Sequence, residues 1–387
     1  MPLLQSLNIS RGLQFDPVSS ADISRLHGRV NHLKYLILTD CMVNTDNLMD
    51  IIAHMINLRS LTVSVYENSD IINASRWKQL IISSLPYLTV FRFRFGTFDR
   101  HEIVRKYEDF QSDFWIKEHQ WYTECLLGDQ IVSCIFTVPY LNDIRPMWLK
   151  YVRHFNTLVD NSKTFDNVTD LHSLGEELMT SSGFYFPNIT SLVIHSLPVL
   201  ANEGDEQRFI RSLKRTMNLS NLKHLEIPLC SQTNRPTILL EILKEAPHLS
   251  SLNIYNCAID ILKTNKEICR YTSEMIKKLQ FCVYFQPNPC HKPHDVSSIH
   301  KVFPNVEQMT CPMTQSDSCL FLLNNLPKLS ALNINFYQSV NSDSFSKVKE
   351  ELSKLKNIFF YEEILRDKQH TKLMAFGFWV DRGDITA

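Results

Sequence analysis

Apolar residues recur along the chain with a fixed spacing: a first position, then three and five residues later. The spacing is clearest between Pro187 and Asp260. There it occurs three times, as Ile189-Leu192-Ile194, Leu222-Leu225-Ile227 and Leu249-Leu252-Ile254. The last two residues of each copy are two positions apart, which places them on the same face of a β-strand. Each copy therefore predicts a short strand with one buried face.

The same spacing begins again on both sides of this stretch. Its first residues there are Leu4, Leu33, Leu58, Leu88, Val168, Ile276, Val306, Leu329 and Leu355. Apolar residues at helical spacing lie between copies, as in 45–56, 205–217, 237–244 and 344–355. One strand cannot cover its own apolar face, so the copies must stack, and the pattern predicts leucine-rich repeats. We expect an α/β solenoid (a horseshoe) with parallel strands on the concave face and helices on the convex face.

The pattern is interrupted from Gly96 to Phe165, a segment too long to be a connection between neighbouring repeats. The part from 100 to 109 has a helical, charged sequence. The segments 121–127 and 130–138 alternate around Gly128-Asp129, which predicts a hairpin. We expect this helix-plus-hairpin insertion to fold onto the repeats. Its aromatic block, 110–121, favours an enlarged local core over a binding patch.

The repeats on both sides of the insertion predict a single solenoid over 1–387. It comprises N-terminal repeats (1–95), the insertion (96–165), and C-terminal repeats with a C-terminal cap (166–387). The apolar tail 374–380 is the expected cap, because a terminal repeat needs a cover for its open face.

Composition narrows the range of partners. Forty Lys and Arg balance 41 Asp and Glu, so no bulk attraction to nucleic acid or to an anionic membrane is expected. We find neither a basic segment followed by an apolar run at the N-terminus nor an apolar stretch long enough for a membrane helix. The prediction is a cytoplasmic or nuclear protein whose ten cysteines are small apolar residues of a reduced interior.

The sequence contains no clear catalytic or cofactor-binding motif. The nine glycines form no phosphate-binding loop, and no Gly-x-Ser-x-Gly elbow occurs. Cys282, Cys290, His291 and His294 have the side-chain types of zinc ligands, but their spacing matches no standard zinc site and prolines interrupt it. We therefore predict a non-enzymatic protein with no cofactor, no metal and no catalytic residues.

Strand alternation predicts where a protein partner would bind. Residues between and just after the apolar positions should face outward on the concave side. The candidate partner-binding residues are Arg92, Arg94, His195, His224, Glu226, Asn253, Tyr255, Asn333 and Asn335. We expect His224 and Glu226 to lie beside Val193 and His195 on one neighbouring strand and beside Asn253 and Tyr255 on the other.

The irregular repeats together with the insertion motifs resemble a known family. The motifs are Phe110-Gln-Ser-Asp-Phe-Trp-Ile-Lys-Glu-His-Gln-Trp-Tyr-Thr-Glu-Cys125 and Phe136-Thr-Val-Pro-Tyr140. They are similar to the leucine-rich-repeat region of F-box-type proteins. The resemblance implies a substrate-recognition module of a ubiquitin ligase, in which the repeats hold the protein to be ubiquitinated.

In that family an F-box before the repeats binds the ligase adaptor. Residues 1–30 contain no Leu-Pro-x-Glu-like opening, so the F-box itself is absent, and adaptor binding is expected only if an F-box exists upstream. Two alternatives stay open: a repeat scaffold unrelated to ubiquitin, and a truncated or degenerate copy of the family.

Overall fold

A computed structural model describes most of the chain. The described residues are 4–10, 30–39, 44–66, 69–128, 132–141, 147–148, 151–154, 163–174, 176, 183–197, 203–229, 236–255, 258–282, 298–312, 316–336, 350, 358–366 and 372–380. The chain divides into two units. Unit 1 comprises Met1–Thr169 and Ser182–Asn188, and unit 2 comprises Asp170–Ser181 and Ile189–Ala387. The single solenoid over 1–387 stays a prediction.

Unit 1 is built on a seven-stranded sheet with the order β1-β2-β3-β4-β6-β5-β8. Its strands are β1 (Ser6–Ser10), β2 (Tyr35–Thr39), β3 (Ser60–Tyr66), β4 (Val90–Thr97), β5 (Thr123–Gly128), β6 (Ser133–Thr137) and β8 (Tyr151–His154). A two-residue strand, β7 (Met147–Trp148), precedes β8 in the chain. Strands β1 to β4 pair in parallel, whereas the remaining pairings of this sheet are antiparallel.

The helices of unit 1 are α1 (Thr45–Ala53), α2 (Ala74–Ser84) and α3 (Arg100–Asp109), followed by a π-helical turn, Phe114–Glu118. A polar side chain caps the first turn of each α-helix. Asn44 accepts hydrogen bonds from the backbone N–H groups of Asp46 and Asn47, and Asn73 and Asp99 cap the next two helices in the same way. These caps satisfy N–H groups that have no partner within the helix.

The repeat spacing of unit 1 corresponds to its buried rows. Leu36, Leu61 and Phe91 pair in register across β2, β3 and β4, and all three are buried. The first copy departs from this pattern, because Leu4 is exposed and Leu7 is only half-buried. Among the described strands, β1 pairs with β2 alone, so one side of its apolar row has no neighbouring strand to cover it.

The insertion folds onto the repeats as predicted. The helix spans Arg100–Asp109, and β5 and β6 form the expected antiparallel hairpin. Its aromatic block belongs to the core. The centre of the Trp115 ring lies 6.1 Å from that of Phe91 and 4.9 Å from that of Phe110, and all three side chains are buried. The enlarged local core is therefore confirmed for this block, which leaves little of its aromatic surface for a ligand.

A buried ion pair links β8, the strand at the edge of this sheet, to β5. Arg153 on β8 donates from Nε and Nη2 to the two carboxylate oxygens of Glu124 on β5, at 2.9 and 3.0 Å. Thr164 donates a further hydrogen bond to the same carboxylate. Both charged side chains are almost fully buried, so loss of either partner would leave an uncompensated charge in the interior.

Unit 2 carries the longer parallel ladder. Its strands are β9 (Asp170–Leu174), β10 (Ser191–Ser196), β11 (His224–Ile227), β12 (Ser251–Tyr255), β13 (Lys278–Cys282), β14 (Gln308–Pro312), β15 (Ala331–Phe336), β16 (Ile358–Arg366) and β17 (Lys372–Val380). From β9 to β15 each strand pairs in parallel with the next strand of the chain. The intervening helices are α4 (Glu203–Thr216), α5 (Pro236–Glu245), α6 (Ala258–Leu262), α7 (Lys266–Met275), α8 (Ile299–Val302) and α9 (Ser316–Asn325), with a 3-10 turn at Leu219–Asn221.

One buried row runs through all seven parallel strands of this ladder. Its members, each at most 2% exposed, are Leu171, Leu192, Leu225, Leu252, Leu279, Met309 and Leu332. The predicted burial of Ile227 and Ile254 is confirmed as well. Parallel strands with in-register apolar rows and intervening helices show an α/β fold of the leucine-rich-repeat type, as the spacing predicts.

The end of the ladder differs from the prediction. The copy beginning at Leu355 was expected to add another parallel strand, but β16 pairs antiparallel with β17, and β17 lies between β16 and β15. The tail 374–380 therefore ends the parallel ladder by strand pairing. Only residues 367–371 separate β16 from β17, and so short a connection joins antiparallel strands, whereas parallel neighbours need a longer crossover.

Some predictions fall outside the described residues. These are most of the helix predicted at 344–355, the Gly128-Asp129 turn beyond Gly128, and Cys41, Cys230 and Cys257. Of the cysteines that can be placed, Cys125, Cys134 and Cys311 are buried and none of the three forms a disulfide.

Leu252→Ala should lower the free energy of unfolding by about 2 to 5 kcal/mol, because strands on both sides hold the cavity open. Leu4→Ala is the matched control: its side chain is exposed, and the expected loss is under about 0.5 kcal/mol. Urea denaturation followed by circular dichroism measures both. Equal losses for the two variants would show that Leu252 is not a core residue.

Candidate protein-interaction surface

The outward positions of the unit 2 ladder form two polar rows, which we call the polar face. The first row follows the register Asp170, Ser191, His224, Ser251, Lys278, Gln308 and Ala331. The second row follows His172, Val193, Glu226, Asn253, Gln280, Thr310 and Asn333. Both rows alternate with the buried leucine row, so that row fixes the spacing and direction of these side chains.

Hydrogen bonds link neighbouring strands within the polar face. Asn253 Nδ2 donates to Glu226 Oε2 at 2.7 Å, and His224 Nδ1 lies 2.9 Å from Ser251 Oγ. Burial lowers the pKa of His224 despite the nearby carboxylate of Glu226, which acts in the opposite direction. The centre of the face therefore holds a neutral imidazole beside a carboxylate whose position is fixed by an amide.

A pair of histidines lies at the β9 end of the face. His195 Nε2 is 2.9 Å from His172 Nδ1, and the two ring centres are 4.9 Å apart. The ladder register shifts between Ile194 and Ser196, so His195 occupies a bulge rather than a row position. Burial lowers the pKa of His172, and the neighbouring His195 lowers it further.

The structure corrects the predicted register. Glu226 pairs with Val193 on one side and Asn253 on the other, whereas His224 pairs with Ser191 and Ser251. The predicted neighbours of His224 were displaced by two residues along both adjacent strands. The three apolar positions of each copy set the register, and residues at the same offset from them become neighbours.

Arg94 was predicted on an exposed surface but is buried. Its guanidinium lies 4.8 Å from the centre of the Tyr66 ring, and Nη1 donates to Tyr140 Oη at 2.6 Å. Strand β6 pairs with β4 beside Arg94, and Tyr140 lies just after that strand, so the insertion covers this side chain. Arg94 is therefore a structural residue of unit 1, and we remove it from the candidate partner-binding set.

The other predicted residues divide between the two units. Arg92 is exposed on β4 in unit 1. In unit 2, Asn253 was predicted to face outward but is only 5% exposed, because its side chain packs between strands beside Glu226. Tyr255 is half-buried at the end of β12, and Asn333 donates a long 3.5 Å hydrogen bond to Thr310. The backbone of Asn335 pairs with Pro312, while its side chain lies outside the described part. The assignment of all these residues to one partner stays a prediction.

Several members of the polar face were not singled out from the sequence. They are Asp170, His172, Ser191, Ser251, Lys278, Gln280, Gln308 and Thr310. The sequence contains the information that would identify them, because each of these residues lies at a fixed offset from the apolar positions of its repeat. A register drawn through every copy would have found them.

Reactive chemistry is limited among the described residues. No group of three His, Cys, Asp or Glu side chains in this part of the chain could hold a metal ion. Burial raises the pKa of Cys125 to about 12 and that of Cys134 to about 11, which keeps both thiols protonated at neutral pH. Cys290, His291, His294 and the side chain of Cys282 lie outside the described part, so the prediction that they form no zinc site is not tested.

In the described part of the chain, we find no helix with the length and apolar character required to cross a membrane.

No protein-family model matches the chain, and no curated protein matches its sequence. Among solved structures, the chain is similar to the leucine-rich repeat-containing protein LegL7 from Legionella pneumophila, with 13% identity and a TM-score of 0.28 over 91% of each chain. It is also similar to an uncharacterised protein from Listeria monocytogenes serotype 4b, with 10% identity and a TM-score of 0.19 over 49% of this chain and 71% of that one. TM-scores this low carry no argument, and the leucine-rich-repeat assignment rests on the strand register described above.

Proposed function

We propose that the chain is a non-enzymatic protein-interaction module and that its partner binds the polar face of unit 2. The observation that carries the proposal is the in-register polar surface over the buried leucine row. Seven parallel strands at the usual spacing extend over about 29 Å, a length suited to a protein surface rather than to a small molecule.

The chemistry of the face also favours a protein. It combines acidic Asp170 and Glu226 with basic Lys278 and several neutral donors and acceptors. This mixture offers directional hydrogen bonds and no concentration of positive charge, so it does not match a nucleic acid backbone. The Asn253 to Glu226 hydrogen bond holds part of the surface in place before binding, which reduces the entropy lost on association.

The finer proposal is substrate recognition for ubiquitination, which rests on the resemblance to F-box-type repeat proteins. The segment that carries the resemblance is built into the core of unit 1, since Phe110, Phe114 and Trp115 are buried. It would therefore specify the architecture of a family member, and the exposed residues of the polar face, such as Lys278 and Gln280, would select the substrate. A scaffold unrelated to ubiquitin, or a truncated or degenerate family copy, uses the same polar face with no ligase attached.

The polar face can be tested with a partner identified by lysine cross-linking and mass spectrometry. Lys278 is exposed on the face, so cross-links to the partner should include it and should be absent from Lys266 on α7. Gln280→Arg should then weaken binding by at least about tenfold, because it introduces a large charge into the contact.

Gln207→Arg on α4 is the matched control, since Gln207 is an exposed helix residue and receives the same substitution. Isothermal titration calorimetry of the parent and both variants measures the difference. If Gln280→Arg binds as tightly as the parent and the cross-links map to the helices, the polar face is not the interaction surface.

Ubiquitination has its own test. The 5′ end of the transcript shows whether an in-frame F-box precedes Met1, and the protein made from the full reading frame can be purified with its bound partners. An F-box together with a co-purifying ligase adaptor is the expected result. A transcript that starts at Met1 and a protein that binds its partner without any adaptor would favour the unrelated scaffold.

A further inference from the structure

Unit 1 contains a cavity that is separate from the polar face of unit 2. It has a volume of about 210 Å³ and lies where the chain enters β2, β3 and β4. Its lining includes Gln5, Asn31, Lys34, Asn57, Arg59 and Tyr87. None of the described lining residues carries a carboxylate.

Two cations of neighbouring repeats meet at this cavity. Lys34 and Arg59 each directly precede a strand, and the next residues, Tyr35 and Ser60, pair with each other in the sheet. Some other basic side chains of unit 1 pair with carboxylates, as Arg76 does with Asp46 and Lys106 with Glu102. Within the described part of the chain, neither Lys34 nor Arg59 forms an ion pair, so the cavity presents two positive charges to its surroundings.

Four backbone N–H groups at the start of β2 and β3, beside the two cations, are already occupied. The N–H groups of Lys34 and Tyr35 both donate to the carbonyl of Gln5. Those of Arg59 and Ser60 donate in the same way to the carbonyl of Lys34. An anion between Lys34 and Arg59 is therefore bound by their side chains and not by these four backbone N–H groups. This favours a carboxylate, which a guanidinium binds through two parallel hydrogen bonds, over a phosphate, which proteins commonly hold with a cluster of backbone N–H groups.

The Asn57 side chain is also fixed, because its Nδ2 donates to the carbonyl of Asn31 at 2.6 Å. This hydrogen bond ties the turn before β3 to the turn before β2. The chain segments that carry Lys34 and Arg59 are therefore linked before a ligand arrives, and both side chains line the cavity.

Apolar side chains border the cations. Tyr35, the first residue of β2, directly follows Lys34 and is 48% exposed, and Val90, the first residue of β4, is 37% exposed. Tyr87, which lines the cavity, is 59% exposed. A free inorganic anion would leave this apolar surface uncovered, whereas a peptide with an acidic residue beside an apolar one would cover both.

We propose that this cavity binds an acidic peptide segment of a protein partner. A Glu or Asp carboxylate lies between Lys34 and Arg59, and an adjacent apolar side chain packs on Tyr35 and Val90. The site gives unit 1 a recognition role of its own, which does not depend on the polar face of unit 2.

The probe is a fluorescein-labelled peptide, Gly-Ser-Glu-Glu-Leu-Ser-Gly, titrated with the whole chain and followed by fluorescence polarisation. We expect saturable binding that weakens as salt is added, because the contact is a screened charge interaction. Replacing both Glu residues of the peptide by Gln should weaken binding by about tenfold or more, and this comparison requires no change in the protein.

The protein variant is Lys34→Gln combined with Arg59→Gln, which should weaken binding by a similar factor. Lys223→Gln is the control. Lys223 occupies the same repeat position before β11, where its carbonyl accepts from the N–H groups of Ser250 and Ser251, and it does not line the cavity. Binding by the control should equal that of the parent.

Three results would overturn the proposal. One is equal binding of the Glu and Gln peptides. Another is no binding of the Glu peptide at millimolar protein concentration. The third is tight binding of a phosphoserine peptide that depends on Lys34 and Arg59 while the Glu peptide fails to bind, which would assign the site to phosphate.

Discussion

Burial of one row of leucines between neighbouring parallel strands is the constraint on which the rest of unit 2 depends. Leu225 cannot be buried by its own repeat alone. Leu192 on one neighbouring strand and Leu252 on the other cover it. A one-residue slip of any strand would expose its apolar row, so the register is strongly specified. Because side chains alternate along a strand, fixing the buried row also fixes the polar rows on the opposite side. The candidate interaction surface is thus a consequence of the core.

Much of this could be predicted from the sequence, because the leucine spacing contains the information directly. Burial of Leu252 and Ile254 follows from their offsets, and the helix at Arg100–Asp109 follows from its charged, periodic sequence. The neighbours of His224 were predicted wrongly because residues at different offsets were placed side by side. His224 lies two residues after the first apolar position of its repeat, whereas Val193 and Asn253 lie four residues after theirs. Correct use of the same pattern gives Ser191 and Ser251, as the structure does.

Other features depend on long-range contacts that no local pattern contains. Arg94 has the offset of an outward residue, yet β6 and Tyr140, more than forty residues later in the chain, enclose its guanidinium. The antiparallel return of β17 beside β15 is similar, because the apolar spacing at Leu355 predicts a strand without specifying its direction. The cavity beside Lys34 and Arg59 could not be predicted from the sequence either, since its residues come from the segments around the starts of four different repeats. Local spacing predicts the repeats, and their exceptions arise where distant segments pack on them.

The stacked ladder can be tested most directly by measuring the register of β11 against β12. Oxidative cross-linking of engineered cysteines reports which residues of the two strands are neighbours. Glu226 and Asn253 are paired, so the double variant Glu226→Cys with Asn253→Cys should form a disulfide under mild oxidation. Glu226→Cys with Tyr255→Cys, two residues out of register, should not. Peptide mapping by mass spectrometry identifies the linked pair among the native cysteines. A disulfide in the second variant and none in the first would contradict the stacked, in-register ladder on which the polar face rests.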